Sequence, residues 1–287
     1  MVRIAVAGGT GLAGGQTVEA LRDAGHDAVV LARSVGVDLT TGRGLAGALV
    51  GVDAVIDVSN TPTVSPEQAR AFFAATTGRL LAAEHHAGVR HHVVLSIVGV
   101  DRIEGNAHYA GKRAQERAAL AGPVPVTVLR ATQFFDYAAM VLRWARHGQV
   151  ATVPPLLIQP VAVADVADVL VQVAVGAPQN GVRELAGPEP QDLVDMVRRL
   201  LAARGESLRL LPGWGGRFGV ELAGEVLLPG PAAQIAPTTF ETWLAAQAQP
   251  ADTSRSSTAP PTAVQGDDGA TGRSGRPKHQ HKPGGNR

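Results

Sequence analysis

The N-terminal stretch RIAVAGGTGLAGGQTVEA, residues 3–20, constrains the fold more than any other part of the chain. An apolar run ends at Ala7, a cluster of glycines follows, and an apolar helical pattern then begins. This order predicts a strand, a tight turn and a helix. Within the turn, the segment from Gly9 to Gly14 satisfies G-x-G-x-x-G in the context that gives this motif its meaning.

The glycines of this turn predict a dinucleotide-binding site. One glycine permits the sharp turn, one lets the backbone approach a pyrophosphate, and one lets the helix pack closely on the strand. The helix N-terminus presents unpaired N–H groups and the positive end of its dipole to the phosphates. We therefore predict cofactor contacts from Gly8, Gly9, Thr10, Gly11, Leu12 and Gly14.

Strand-like and helix-like segments alternate over the first 150 residues of the chain. Such alternation is typical of a parallel, doubly wound sheet with right-handed crossovers. The sequence therefore predicts an α/β fold, with an NAD(P)-binding Rossmann domain over residues 1–150. The pattern loosens over residues 151–248, where we expect a small α/β substrate region that is partly interleaved with the sheet.

The end of the chain has a different composition. Residues 249–287 are rich in Ser, Thr, Pro, Gly and charged side chains, and large apolar residues almost vanish there. A segment of this kind cannot bury a core, so we predict a disordered tail.

Composition limits the class of protein. The net charge of +1 provides no electrostatic basis for nucleic-acid binding, and the absence of cysteine excludes disulfides, thiolate metal sites and a cysteine nucleophile. No signal peptide and no apolar stretch of membrane-spanning length is evident. We therefore expect a cytoplasmic protein whose partner is a small-molecule substrate rather than nucleic acid or a membrane. A monomer or homodimer is expected, although nothing in the composition distinguishes the two.

The end of the second predicted strand bears on cofactor choice. An NAD-specific site places an acidic residue there, but this chain has Arg33 followed by Ser34. A guanidinium suits the 2′-phosphate of NADP(H). We predict a preference for NADP(H) over NAD(H), against the alternative that Arg33 is an ordinary solvated arginine.

Two further pairs are candidate cofactor contacts. Asp38 can accept a hydrogen bond from the adenine amine and Leu39 can cover the ring, although Asp38 is equally well explained as a turn residue. Ser59 and Asn60 follow the buried strand VDAVIDV, so we expect them in the ligand crevice near the ribose or nicotinamide. Turn formation alone is the alternative for this second pair.

Several motifs in order resemble one family: AGGTGLAGG, DAVIDVSN, HHVVLSIVGVDR, HYAGKRAQERA, VTVLRATQFFD and PVAVADVADVL. Over about residues 1–245 the chain resembles an atypical short-chain dehydrogenase/reductase of the NmrA-like, NAD(P)H-binding group. The resemblance implies an extended Rossmann fold. It also implies either hydride transfer to or from a small carbonyl, quinone or alcohol, or a non-catalytic NAD(P)H-sensing regulator.

The chemistry of that family rests on a serine and on Tyr-x-x-x-Lys within one helix. Ser96 matches the serine and Lys112 matches the lysine, which in the family also contacts the cofactor. His108 stands where the tyrosine is expected, and Tyr109 is its neighbour. Three interpretations stay open: His108 is the acid, Tyr109 has taken over that role, or the site only holds a cofactor.

The remaining candidates are aromatic and acidic residues, and histidines. Phe134 and Phe135 follow a predicted strand and are expected to form an apolar wall for the substrate, although core packing explains at least one of them equally well. Asp165 is interpreted as a helix N-cap. The paired histidines lack carboxylates at ligand spacing, so we predict no metal site.

Overall fold

A computed structural model describes residues 1–215 and 218–248 of the chain. Its strands are β1 (Arg3–Ala7), β2 (Asp27–Leu31), β3 (Ala54–Asp57), β4 (His91–Ile97), β5 (Val126–Ala131), β6 (Arg146–His147), β7 (Val150–Val153), β8 (Leu157–Ile158), β9 (Gly181–Ala186), β10 (Gln191–Asp192), β11 (Arg209–Pro212) and β12 (Gln234–Ile235). Its α-helices are α1 (Leu12–Asp23), α2 (Leu45–Ala48), α3 (Pro66–Ala87), α4 (Ala107–Leu120), α5 (Tyr137–Ala145), α6 (Val163–Val175), α7 (Leu193–Ala203) and α8 (Phe240–Ala248).

Within the described residues, seven parallel strands form the main sheet in the order β2-β1-β3-β4-β5-β9-β12. The chain passes from β1 to β2 on one side and then crosses to β3 on the other side of β1. In open parallel sheets, ligands bind at the carboxyl ends of the strands where the order reverses in this way. The doubly wound α/β fold is confirmed, and the crevice is expected outside the ends of β1 and β3.

Helices cover both faces of the sheet, which explains why its strands are nearly continuous apolar runs. In β1, Ile4 and Val6 are part of a core cluster shared with α1 and α6. Ala5 and Ala7 belong to the cluster on the opposite face, with α2 and α3. The period of two in a strand thus sends alternate side chains into two separate cores.

The second half of the chain builds a smaller lobe and also returns to the main sheet. Strands β11, β7 and β6 form one small sheet, and β10 pairs with β8. A core cluster that includes Phe135, Met196 and Phe240 also takes in Ile103 and Tyr109 from the first half of the chain. The described residues form one compact unit, and the predicted tail, residues 249–287, lies outside them.

Some local predictions were wrong. The composition of the segment from Val35 to Leu39 predicts a short further strand, but the structure has a 3₁₀ turn at Arg33–Val35 and no strand over residues 36–39. The physical reason is Gly36, which adopts a left-handed φ of 84° and turns the chain away from the sheet.

The N-cap assigned to Asp165 is also wrong. Helix α6 begins two residues earlier, at Val163, and its N-cap Ala162 makes no side-chain capping bond. The Asp165 carboxylate instead accepts hydrogen bonds from Thr238 N (3.1 Å) and Thr238 Oγ1 (2.9 Å). It therefore ties α6 to the segment that precedes α8.

Candidate functional site

The glycine turn closes tightly between β1 and α1. Gly8 has a φ of 80°, and its N–H donates to the Leu31 carbonyl at 3.1 Å, which joins the turn to the end of β2. The Gly11 N–H donates back to the Gly8 carbonyl at 2.9 Å. A Cβ on Gly14 would lie 2.1 Å from the Gly8 oxygen, so only glycine permits this approach of helix to turn.

The N-terminus of α1 is available to an anion. Its N-cap, Gly11, makes no side-chain capping bond, and α1 carries no acidic residue in its first turn. Thr10, Gly11 and Leu12 are exposed, whereas Gly9 is buried under the turn. Unpaired N–H groups and the helix dipole therefore face solvent here, so the turn fits a bound pyrophosphate.

Arg33 and Ser34 lie immediately beyond β2, both exposed, in the 3₁₀ turn. Within the described residues the Arg33 guanidinium has no hydrogen-bond or ion-pair partner. It lies two positions after Leu31, whose carbonyl is bonded to the glycine turn. The Arg33 side chain is thus an exposed cation, without a partner among the described residues, at the edge of the predicted adenosine site.

Asp38 and Leu39 follow this turn. Asp38 Oδ1 accepts hydrogen bonds from Thr40 N (2.8 Å) and Thr40 Oγ1 (2.6 Å), and these bonds hold the pKa of the carboxyl below its usual value. Leu39 is half-buried against the core on the α2 and α3 face. Asp38 therefore does form a turn, and its contact with adenine stays a prediction.

Ser59 and Asn60 lie just beyond the carboxyl end of β3. The Ser59 N–H donates to Asp57 Oδ1 at 2.9 Å, while the buried Ser59 Oγ has no hydrogen-bond partner among the described residues. Asn60 is exposed, and its Oδ1 accepts from the N–H of Thr61 at 2.8 Å.

Helix α4 carries the lysine of the site. The helix begins at a side-chain cap, where Asn106 Oδ1 accepts from the N–H groups of His108 (3.0 Å) and Tyr109 (3.5 Å). One turn later, buried Lys112 Nζ donates to three acceptors, the Leu95 carbonyl (2.8 Å), the Ser59 carbonyl (3.2 Å) and Gln115 Oε1 (2.8 Å).

Lys112 is chemically unusual in this chain. It is one of only three lysines, and the other two, Lys278 and Lys282, lie in the predicted tail. Burial lowers the pKa of the Lys112 ammonium from 10.5 to about 8, although the nearby carboxylates Asp57 and Glu116 act to raise it. Near neutral pH the group is therefore charged, yet it can lose its proton within an accessible pH range.

The two candidate acids on α4 lie in different environments. Half-buried His108 is influenced by the Lys112 charge, and burial followed by that charge lowers the His108 pKa to about 4. The imidazole is thus neutral near pH 7. Tyr109 is buried in the core of the smaller lobe, and its hydroxyl accepts a hydrogen bond from Gln133 Nε2 at 3.3 Å. Burial raises the pKa of the Tyr109 phenol, so it keeps its proton.

Unpaired polar atoms lie at the carboxyl ends of three neighbouring strands, β3, β4 and β5. Ser96 Oγ on β4, and Thr132 Oγ1 and Gln133 Oε1 just after β5, are buried without a hydrogen-bond partner among the described residues. Together with Ser59 Oγ after β3, they lie at or just beyond the carboxyl ends of neighbouring parallel strands. Buried polar groups without a protein partner are where a bound ligand or water is expected to supply one.

The predicted aromatic wall is divided between two places. Phe134 is half-buried and forms an isolated bridge with Val161. Phe135 is 1% exposed, and its ring packs against Phe240 (centroids 5.4 Å apart) and Trp243 (5.8 Å). Phe135 is therefore a core residue in this structure, and the substrate contacts of both phenylalanines stay predictions.

Sequence reasoning missed two residues of the site, Asp57 and Gln115. Asp57 is a fully buried carboxylate inside an apolar strand, and that anomaly in VDAVIDV was the available signal. Gln115 lies three positions after Lys112 on the same helix, a spacing at which side chains meet. Gln115 also donates a hydrogen bond to Asp57, a contact that no spacing in the sequence indicates.

Among residues 1–215 and 218–248, no group of three or more His, Cys, Asp or Glu side chains could hold a metal ion. None of the helices in this described part of the chain is long and apolar enough to span a membrane.

Comparison with known proteins identifies relatives. The chain matches the NAD dependent epimerase/dehydratase family over residues 4–131. It is 30% identical over 253 residues to the (4-alkanoyl-5-oxo-2,5-dihydrofuran-3-yl)methyl phosphate reductase of Streptomyces griseus subsp. griseus, a match that covers 80% of this chain and 83% of the relative.

Solved structures share the fold at lower identity. MoeE5 in complex with UDP-glucuronic acid and NAD has a TM-score of 0.68 at 20% identity, covering 86% of this chain and 97% of that chain. The Citrobacter sp. triphenylmethane reductase complexed with NADP(H) has a TM-score of 0.56 at 19% identity, covering 74% and 79%. The NADPH-dependent quinone oxidoreductase QOR2 of Escherichia coli has a TM-score of 0.58 at 20% identity, covering 73% and 78%.

The Streptomyces reductase is matched over most of its length, and the sheet and the glycine turn of this chain agree with that match. Both also agree with the resemblance seen in the ordered motifs. The chain belongs to the short-chain dehydrogenase/reductase superfamily of NAD(P)-binding enzymes, as an atypical member.

Proposed function

We propose that this protein is an NADP(H)-dependent reductase of a small carbonyl compound or of an alkene activated by a carbonyl group. The observation that carries this proposal is the set of unpaired buried polar atoms at the ends of β3, β4 and β5, on Ser59, Ser96, Thr132 and Gln133. Leaving one such group unpaired costs about 1–3 kcal/mol. Their concentration at adjoining strand ends supports a ligand crevice there, because a bound ligand would offset that cost.

The cofactor would be held along the ends of β1, β2 and β3. The turn from Gly9 to Gly14 would bind the pyrophosphate, and the unpartnered Arg33 would bind a 2′-phosphate. Lys112 would face the ribose, giving up its longest hydrogen bond, the 3.2 Å bond to the Ser59 carbonyl. When bound, the reduced nicotinamide supplies a hydride to the substrate.

The residue that we assign as proton donor is Tyr109. Its phenol is protonated near neutral pH, and its oxygen already accepts from Gln133, so its own O–H is left to donate. His108 is neutral at that pH and can donate an N–H hydrogen bond to a substrate oxygen, but it carries no extra proton to give. Ser96 Oγ, unpaired at the end of β4, would orient the same oxygen.

The substrate class is proposed from the Streptomyces relative. The name of that protein describes reduction of a dihydrofuran ring that carries an oxo group, an alkanoyl group and a phosphate ester. We infer that this chain acts on a small unsaturated carbonyl compound of similar size. The smaller lobe, whose core includes Tyr109 and Phe135, would cover it.

The test is NADPH consumption by the purified protein across unsaturated lactones, quinones, aldehydes and ketones, with matched titrations of NADPH and NADH. We expect turnover of at least one conjugated substrate and tighter binding of NADPH. Tighter NADH binding would contradict the cofactor assignment, and tight NADPH binding without turnover across the panel would contradict the reductase.

A second candidate is a non-catalytic NAD(P)H sensor, and two observations favour it. His108 stands in the position of the family tyrosine, and all three donors of Lys112 already have protein acceptors. A sensor shows no turnover in any form, whereas for an enzyme the variants Tyr109→Phe and His108→Ala show which of the two residues is the acid. For the enzyme that we propose, Tyr109→Phe lowers kcat by about 100-fold or more, and His108→Ala lowers it by less than about tenfold. Equal losses in the two variants would contradict Tyr109 as the acid.

A further inference from the structure

A buried chain of hydrogen bonds runs from β3 to the lysine. Asp57 Oδ1 accepts from the Ser59 N–H at 2.9 Å, and Asp57 Oδ2 accepts from Gln115 Nε2 at 2.8 Å. The other end of the same amide, Gln115 Oε1, accepts from Lys112 Nζ at 2.8 Å. All three side chains are buried, with Asp57 at 1%, Gln115 at 0% and Lys112 at 5% exposure.

The chemistry of the three groups gives this relay a single direction. A carboxylate only accepts hydrogen bonds and an ammonium only donates them. The Gln115 amide must therefore turn its nitrogen toward Asp57 and its oxygen toward Lys112. A flipped amide would place two donors together at one end and two acceptors together at the other.

We propose that Asp57 and Gln115 are positioning residues that act through Lys112: Gln115 orients the ammonium, and Asp57 keeps it charged in a buried site. The consequence for catalysis rests on the proposed function, but the contact itself and its test do not.

The charged groups around Lys112 single out Asp57. Two carboxylates act on the Lys112 charge, Glu116 on α4 and Asp57 on β3. The His108 ring on α4 also interacts with that charge. From α3, the centroid of the Phe73 ring lies 4.8 Å from Lys112 Nζ. The Leu95 carbonyl faces it from β4.

The carboxylates near Lys112 differ in how far other cations already compensate them. Glu116 is bound by Arg130 through Nε–Oε1 (2.9 Å) and Nη2–Oε2 (2.8 Å). Asp57 has no arginine partner in the described part of the chain. The Asp57 charge acts to raise the pKa of His92, but the His92 ring is already hydrogen-bonded to another carboxylate, with Nδ1 2.8 Å from Glu84 Oε1. Asp57 is therefore the carboxylate whose charge is left mainly to Lys112.

The composition of the chain makes a direct test possible. With only three lysines, protein labelled with ¹³C at lysine Cε gives three lysine signals, and Lys278 and Lys282 serve as internal references. We expect the Lys112 signal to titrate near pH 8, against an ordinary lysine value of 10.5. The measurement needs neither cofactor nor substrate, so it stands even if the protein reduces nothing.

Two variants separate charge from structure. Asp57→Asn removes the charge and sets two amide donors against each other, and we expect the Lys112 midpoint to fall by about one unit or more. The double variant Asp57→Asn with Gln115→Glu restores every donor–acceptor match and moves the charge next to Lys112. We expect its Lys112 midpoint to return to the wild-type value or above.

The outcomes are distinct. A Lys112 midpoint unchanged in Asp57→Asn, or lowered equally in the double variant, overturns the proposal. If the single variant does not fold, the double variant decides alone, because all its hydrogen bonds are satisfied. A folded double variant with the Lys112 midpoint at or above that of wild type supports the proposal. An unfolded double variant, or one with a lower Lys112 midpoint, overturns it. Failure of the NADPH panel with these shifts present would overturn only the reductase.

Discussion

The sharpest prediction concerns two adjacent glycines in α1. Gly14→Ala puts a Cβ 2.1 Å from the Gly8 carbonyl oxygen and 2.7 Å from the Gly9 Cα, whereas a Cβ on Gly15 meets nothing within 4 Å. Both positions lie in the same helix, so the gain in helix propensity is the same for each. The pair therefore isolates the close approach of the helix to the glycine turn.

The magnitude follows from the distances. To regain ordinary contact, the helix in Gly14→Ala must retreat by about 1.3 Å, since contact begins near 3.4 Å. Forcing an extra carbon into a packed site costs about 1–3 kcal/mol. Alanine in place of glycine within a helix gains about 0.5–1 kcal/mol. We expect Gly15→Ala to be more stable than wild type, and Gly14→Ala to be about 1–3 kcal/mol less stable than Gly15→Ala.

The assays are urea unfolding followed by circular dichroism and NADPH titration by fluorescence. Because the retreat moves the N–H groups of the helix N-terminus, Gly14→Ala should bind NADPH about tenfold more weakly, equivalent to about 1.4 kcal/mol. Gly15→Ala should bind it as wild type does. Equal stability and equal affinity of the two variants would refute the close approach on which the argument depends.

Three further outcomes follow from particular side chains. Arg33→Ser should lower the preference for NADPH over NADH about tenfold, seen in paired fluorescence titrations; unchanged preference would make Arg33 a solvated arginine. Phe135→Ala should destabilise the fold by about 3–5 kcal/mol in urea unfolding, because its ring is buried against Phe240 and Trp243. NADPH affinity should be constant between about pH 7 and pH 8, above the second pKa of about 6 of a phosphate ester, and fall at higher pH as the Lys112 ammonium loses its proton; flat affinity to about pH 9.5 would contradict that role.

Much of the fold was predictable because its signals are local. The apolar strand runs, the glycine turn and the cap at Asn106 each depend on residues close in sequence. Errors arose where long-range pairing decided the outcome. The N-cap predicted at Asp165 is wrong because that carboxylate bonds to Thr238, 73 positions further along the chain.

The site divides in the same way. The G-x-G-x-x-G turn and Arg33 are placed by their distance along the chain from the first strand, so spacing located them. The environment of Lys112 is different, because Ser59 lies 53 positions away in sequence. Spacing could suggest that Lys112 meets a cofactor, but it could not show that three protein acceptors already hold the ammonium.

By itself, the sequence determined the order of strands and helices, the glycine turn that brings a helix N-terminus to the end of β1, and the absence of an acidic residue after β2. These depend on side chains and backbone angles of neighbouring residues. Only the tertiary structure decided that Asp57 reaches Gln115 across 58 positions, that Tyr109 meets Gln133, and that burial changes the pKa values of His108 and Lys112. The physical reason is that burial and charge contact are properties of the assembled layers, which local spacing does not contain.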